Sequence, residues 1–135
     1  MSEERTRTAP SERFAVEHVA FDLAAEAAAL EAEGASKPHG HRQKTLYKNA
    51  GRTIALFVLD AGAVLAEHAA SGIVTVQAIV GELELMTGGG ASGTSYHLHP
   101  GMVLVLASGV RHDVRAKSRA VFLLQVSLAH SPARG

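Results

Sequence analysis

The sequence predicts an all-β, mainly antiparallel domain, a barrel or sandwich, with one helix near its N-terminus. Three observations predict it. After about residue 43, apolar and β-branched runs recur in lengths of about five to eight residues, short enough for strands. Glycines divide those runs: Gly62, Gly72, Gly81, the Gly88-Gly89-Gly90 loop with Gly93, Gly101 and Gly109. No β-α-β alternation follows Gly34, which argues against a parallel sheet layered with helices. With 135 residues, 47% hydrophobic and 19% charged, the chain suits one domain with its own core. We place that domain at 14–129, between tails at 1–13 and 130–135.

Met1 to Arg13 is polar, contains Pro10 and has no apolar period. Phe14 to Phe21 alternates loosely and is expected as a short edge strand. Asp22 suits an N-cap, because its carboxylate can accept from free amides of a first helical turn. Leu23 to Glu33 consists of strong helix formers, with Leu23, Ala27 and Leu30 on one face and Gly34 placed to end it. That helix is expected to cover the outside of a sheet. Ala35 to His41 is a turn-rich connector. Strands are then expected at Gln43 to Lys48 and Arg52 to Leu59, joined by the turn Asn49-Ala50-Gly51 as a hairpin. The last strand is expected at Ala120 to Ala129.

Composition excludes several classes of function. Thirteen basic residues balance thirteen acidic ones, so no whole-protein field draws the chain to nucleic acid or to an anionic membrane. Without cysteine there is no disulfide, thiolate metal site or cysteine nucleophile. The first residues lack an apolar signal region, and no run approaches the roughly 20 apolar residues that span a bilayer. A soluble, cytoplasmic protein is expected. The Gly-rich loop lacks the Lys-Ser/Thr of a phosphate loop, and no G-x-S-x-G elbow marks a hydrolase. Eight histidines remain the unusual feature.

Two segments hold the histidines of interest. In Gly62 to Gly81, His68 follows Gly62 after five residues, Ala70 follows after one more, Val74 after three and Gly81 after six. In Gly101 to His112, five residues separate Gly101 from Ala107, one separates Ala107 from Gly109, and two separate Gly109 from His112. These spacings resemble the two motifs of the cupin family, G-x5-H-x-H-x3,4-E-x6-G and G-x5-P-x-G-x2-H. Thr45-Leu46-Tyr47-Lys48 after a helix also resembles the small single-domain cupins. The resemblance implies a double-stranded β-helix, or jelly-roll barrel, with a divalent metal bound by three histidines and a glutamate. Carried over by position, His68 and His112 stand where the family has histidines. Ala70 replaces the second histidine, Val74 the glutamate and Ala107 the proline, so the ligand set is degenerate.

A transition-metal site usually takes at least three protein ligands, and two imidazoles alone hold an ion weakly. Candidate rescuers are poorly placed. Gln77 lies three residues beyond Val74, and Asp113 is adjacent to His112, so strand alternation turns both to the other face. His41 could reach a barrel mouth from the connector. His97-Leu98-His99 and His39-Gly40-His41 have a spacing that can pair two imidazoles on an extended strand. However, His97 and His99 are expected on a solvated face with Leu98 inward, and His39 and His41 in a polar loop. His18 and His130 carry no partner pattern.

Three functions compete. In the first, the barrel binds a small apolar or weakly acidic molecule in a pocket lined by Val74, Val76 and Ala78 and oriented by His68 and His112. In the second, the chain is a cupin-type oxygenase, isomerase or decarboxylase, whose His68 and His112 hold zinc or nickel with a third ligand from elsewhere. In the third, the barrel is only a scaffold for a dimer. A homodimer is expected in any case, formed through the N-terminal strand and the 43–59 hairpin, which would cover open sheet edges.

Overall fold

A computed structural model describes residues 17–33, 40–88 and 93–128. Both tails, Phe14 to Val16, Gly34, the connector up to His39, the 89–92 part of the glycine loop and Ala129 lie outside the described residues. One helix, α1 (Leu23–Glu31), precedes nine strands: β1 (His41–Asn49), β2 (Arg52–Leu59), β3 (Val64–His68), β4 (Gly72–Val80), β5 (Leu83–Thr87), β6 (Thr94–Leu98), β7 (Val103–Leu106), β8 (His112–Ala116) and β9 (Ala120–Leu128).

The ladders are antiparallel throughout and form two sheets, ordered β1-β2-β9-β4-β7 and β3-β8-β5-β6. Among the described residues no ladder joins the sheets, so the jelly roll is an open sandwich, not a closed barrel. Alternation along each strand supplies its core. Phe57 opposes Phe122, Val74 opposes both Leu106 and Val126, and Leu85 opposes Val114, and all of these face the space between the sheets.

The helix behaves as its sequence indicates. Asp22 caps it, accepting from the Ala25 amide at 3.1 Å. Ala27 and Leu30 bury against Leu46, Leu56, Val58 and Val121 on the outer face of β1, β2 and β9, and Leu23 packs alongside. Two ion pairs fix its position: Lys44 reaches Glu26 at 2.7 Å, and Arg119 reaches Glu31. The hairpin turn forms at Ala50-Gly51, where Asn49 Oδ1 accepts from the Gly51 amide at 3.2 Å.

Three expectations need correction. No strand forms over residues 17–22, because the apolar positions slip out of a strict period of two after His18, and Phe21 packs beside the helix instead. The support that an N-terminal strand lent to a homodimer falls with it over those residues. The helix ends at Glu31 with Ala32 as its cap, two residues before the expected end. His41 belongs to β1, opposite Leu59, and not to the connector.

Gly81 shows why the first motif must close on glycine. Its φ is +73°, and a Cβ there would lie 2.0 Å from the Arg119 carbonyl oxygen. The turn after β4 and the turn before β9 therefore touch backbone to backbone, a contact only glycine permits. No helix among the described residues is long and apolar enough to cross a membrane.

Candidate functional site

The two motif segments meet in the backbone. In the ladder between β3 and β8, His68 and His112 are register partners. One turn away, the Gly109 amide donates to the Ala70 carbonyl at 2.9 Å, which ties the second motif's turn to the first motif. The motif spacings thus bring the two histidine positions opposite one another.

His112 is only 1% exposed and is the one polar or charged residue buried among the described residues. Its Nδ1 lies 3.1 Å from the Val110 carbonyl. A carbonyl only accepts, so Nδ1 carries a proton and donates to it. The backbone of the same turn therefore orients this imidazole.

The other positions of the cupin ligand set are apolar in fact as well as in name. Val74 is 3% exposed within the inter-sheet core, and Ala70 packs against that core. Gln77 opposes Val103 and Asp113 opposes Met86, both on outer faces, as alternation requires. Among the described residues no group of three metal-ligating side chains occurs. The residues present do not fit the metal centre that the family resemblance implies, because methyl groups occupy positions that should offer donor atoms.

The histidines outside the motifs are placed as follows. His97 and His99 are exposed and flank Leu98, which is 1% exposed. His97 Nε2 lies 2.8 Å from Glu82 on the outer face of the smaller sheet. His99 Nδ1 lies 3.2 Å from the Pro100 carbonyl. His41 is partly buried at the start of β1, and His18 is exposed. His39 and His130 lie outside the described residues.

Among the described residues, a hollow space is lined by side chains other than Val74, Val76 and Ala78. Val74, Val76 and Ala78 are 3%, 0% and 1% exposed and pack into the core beneath β4 and β7. A cavity of about 220 Å³ lies at the other side of the sandwich, where edge strands β1 and β3 face each other. Gln43 of β1 and Phe57 of β2 line one wall, with Phe122 and Leu124 of β9; Leu65 and Ala66 of β3 and Val114 of β8 line the other. Gln43 and Ala66 are exposed and mark the mouth. Phe57 and Phe122 form its floor as a parallel stack, with ring centroids 4.8 Å apart and planes 2° apart. Val114 and His112 are two residues apart on one face of β8, so the imidazole sits about 7 Å along the strand from the cavity wall.

Sequence reasoning missed this lining. The one signal for it was Gln43, a polar residue in the inward register of β1, opposite Phe57.

No protein-family profile matches the chain, and no curated protein matches it. Solved structures do match in fold. A conserved protein of unknown function from Streptococcus pyogenes aligns with a TM-score of 0.67 at 22% identity, over 86% of this chain and 93% of that one. A cupin superfamily protein from Desulfitobacterium hafniense aligns with a TM-score of 0.65 at 16% identity, over 87% of this chain and 96% of that one. Oxalate decarboxylase from Bacillus subtilis, a protein with Mn(II) centres, aligns with a TM-score of 0.59 at 17% identity, over 78% of this chain and 30% of that one.

Proposed function

The chain is a small cupin-fold domain, and from that premise we propose that it is a small-molecule-binding module without a resident metal centre. The ligand occupies the cavity between β1 and β3, whose wall residue Val114 is two residues along β8 from His112, the register partner of His68. One observation carries this reading: a hollow, largely apolar space opens between β1 and β3, while Ala70 and Val74 fill two of the cupin ligand positions with hydrocarbon. Such a site can desolvate a small molecule and offer it few directional polar contacts.

The test is a metabolite panel read by thermal stabilisation. A ligand at about one hundred times its Kd adds about 2.7 kcal/mol of stability. At least one member is expected to stabilise the wild type, with the effect reduced in His112→Ala. The rival is a zinc or nickel enzyme built on His68 and His112. Elemental analysis of untagged protein decides between them. Close to one equivalent of either metal, lost in both His68→Ala and His112→Ala, would replace the binding module with that enzyme.

A further inference from the structure

Resting on the reading of the β1/β3 cavity as the ligand site, we infer that its ligand is an uncharged molecule with a single aromatic ring and one short hydrogen-bonding substituent. Volume sets the first limit. An apolar protein cavity of about 150 Å³ accommodates one benzene. The 220 Å³ found here therefore holds one ring with a few further atoms, and a fused pair of rings exceeds it.

The floor sets the second. Phe57 and Phe122 present a parallel stack to the cavity, and a flat ring can extend that stack or meet it edge-on, the two arrangements aromatic pairs prefer.

Charge sets the third. Of the described lining residues only Gln43 has a polar side chain, and its amide offers both a donor and an acceptor at the mouth. The cations beside it in sequence are turned away. Arg42 and Lys44 project to the outer face of β1, towards Asp60 at 3.8 Å and Glu26 at 2.7 Å. A carboxylate entering the cavity would lose its water without meeting a cation among the described lining residues, and that desolvation is unfavourable.

Four probes test the inference on the full chain by NMR titration: benzyl alcohol, benzoate, toluene and 1-naphthalenemethanol. Benzyl alcohol is expected to bind saturably, with benzoate and the naphthalene alcohol each weaker by about tenfold or more. Gln43→Leu is expected to weaken benzyl alcohol while leaving toluene unchanged. Ala66→Phe places a ring in the mouth from an exposed position, and should abolish binding of every probe without lowering the melting temperature. Gln43→Trp blocks the same mouth from the opposite strand and replaces Ala66→Phe should that variant fold poorly.

Benzoate binding as tightly as benzyl alcohol, with both blocked by the mouth variants, would overturn the inference and leave the cavity as the ligand site. Tight binding of the naphthalene alcohol would do the same. Probe binding that the mouth variants leave untouched, or no saturable binding at all, would overturn the inference and the site together.

Discussion

The space between the sheets is packed on one side and hollow on the other. Beneath β4, β7 and β5, the side chains of Val74, Val76, Ala78, Leu83, Leu85, Leu98 and Leu106 are all at most 4% exposed. Between β1 and β3, larger side chains including Phe57 and Phe122 surround a cavity of about 220 Å³. Both sides use the same alternation of inward apolar residues, so hydrophobicity does not separate them. Edge geometry does. On the packed side the edge ladders, β4 with β7 and β5 with β6, run without a register shift, whereas on the hollow side those of the edge strands β1 and β3 each contain one. A shifted ladder lets an edge strand bend away from the layer opposite it, and the sheets separate there. The packed side holds the fold together, and the hollow side has room for a ligand.

Gly81→Ala should have the largest effect, because it strikes where the packed side is closed. The substitution puts a methyl 2.0 Å from the Arg119 carbonyl at a φ of +73°. We expect a loss of about 3 to 4 kcal/mol in denaturant unfolding. Gly109→Ala, at a φ of +83° with nothing within 4 Å of its Cβ, should cost only about 1 to 2 kcal/mol. Equal losses would mean that the contact with Arg119 has no energetic role.

Core truncations compare the two sides directly. Leu85→Ala, at 0% exposure on the packed side, should cost about 3 to 4 kcal/mol, and Leu124→Ala, on the cavity wall, about 1 to 2 kcal/mol. The smaller loss follows because one side of Leu124 already lacks packing partners. Additions should reverse the order. Ala78→Leu overpacks a position that is 1% exposed and should cost about 1 to 3 kcal/mol, while Ala66→Leu extends into free space and should be close to neutral. If Ala66→Leu destabilises as much as Ala78→Leu, the hollow side is not hollow in solution.

The fold and the meeting of the motifs were legible in the sequence because both depend on backbone requirements that leave local marks. Gly81 must be glycine to let two turns touch, and the spacing from Gly101 to His112 carries β7 into the turn that binds Ala70. The same alternation put Leu98 inward and kept Gln77 and Asp113 outside. The cavity was not legible. Val74, Val76 and Ala78 are inward positions on β4 just as Phe57 is on β2, and a pattern of inward residues does not say which of two layers stand apart. That depends on summed side-chain volumes and strand bending across β1, β2, β3, β8 and β9, which no single stretch encodes. The edge strand expected at Phe14 to Phe21 failed over its described part for a related reason. Phe21 packs against the cluster that the helix forms with the outer face of β1, β2 and β9.

The smallest effect concerns the brace that links the helix to the packed side. Arg119 donates to Glu31, and this hydrogen bond, more than the charge attraction alone, holds the Glu31 carboxyl below its ordinary value of 4.5. A lowered carboxylate pKa means that the folded state binds its proton less readily than the unfolded state. The contribution to stability is therefore complete above pH 4.5 and is lost as pH falls through the folded value. Both side chains are more than a third exposed at 47% and 35%, or close to it, so screening limits the pair to about 0.5 kcal/mol. Unfolding of wild type and Glu31→Gln compared from pH 7 to pH 3 should show that small difference at neutral pH and none in acid. The Arg119 residue that reaches Glu31 through its side chain also presents its carbonyl to Gly81, so the helix is tied to the turn that Gly81 meets. In Gly81→Ala that turn must shift, and the Glu31→Gln difference should then disappear at neutral pH as well. A difference that persists in the double variant would mean that the brace and the closure act independently.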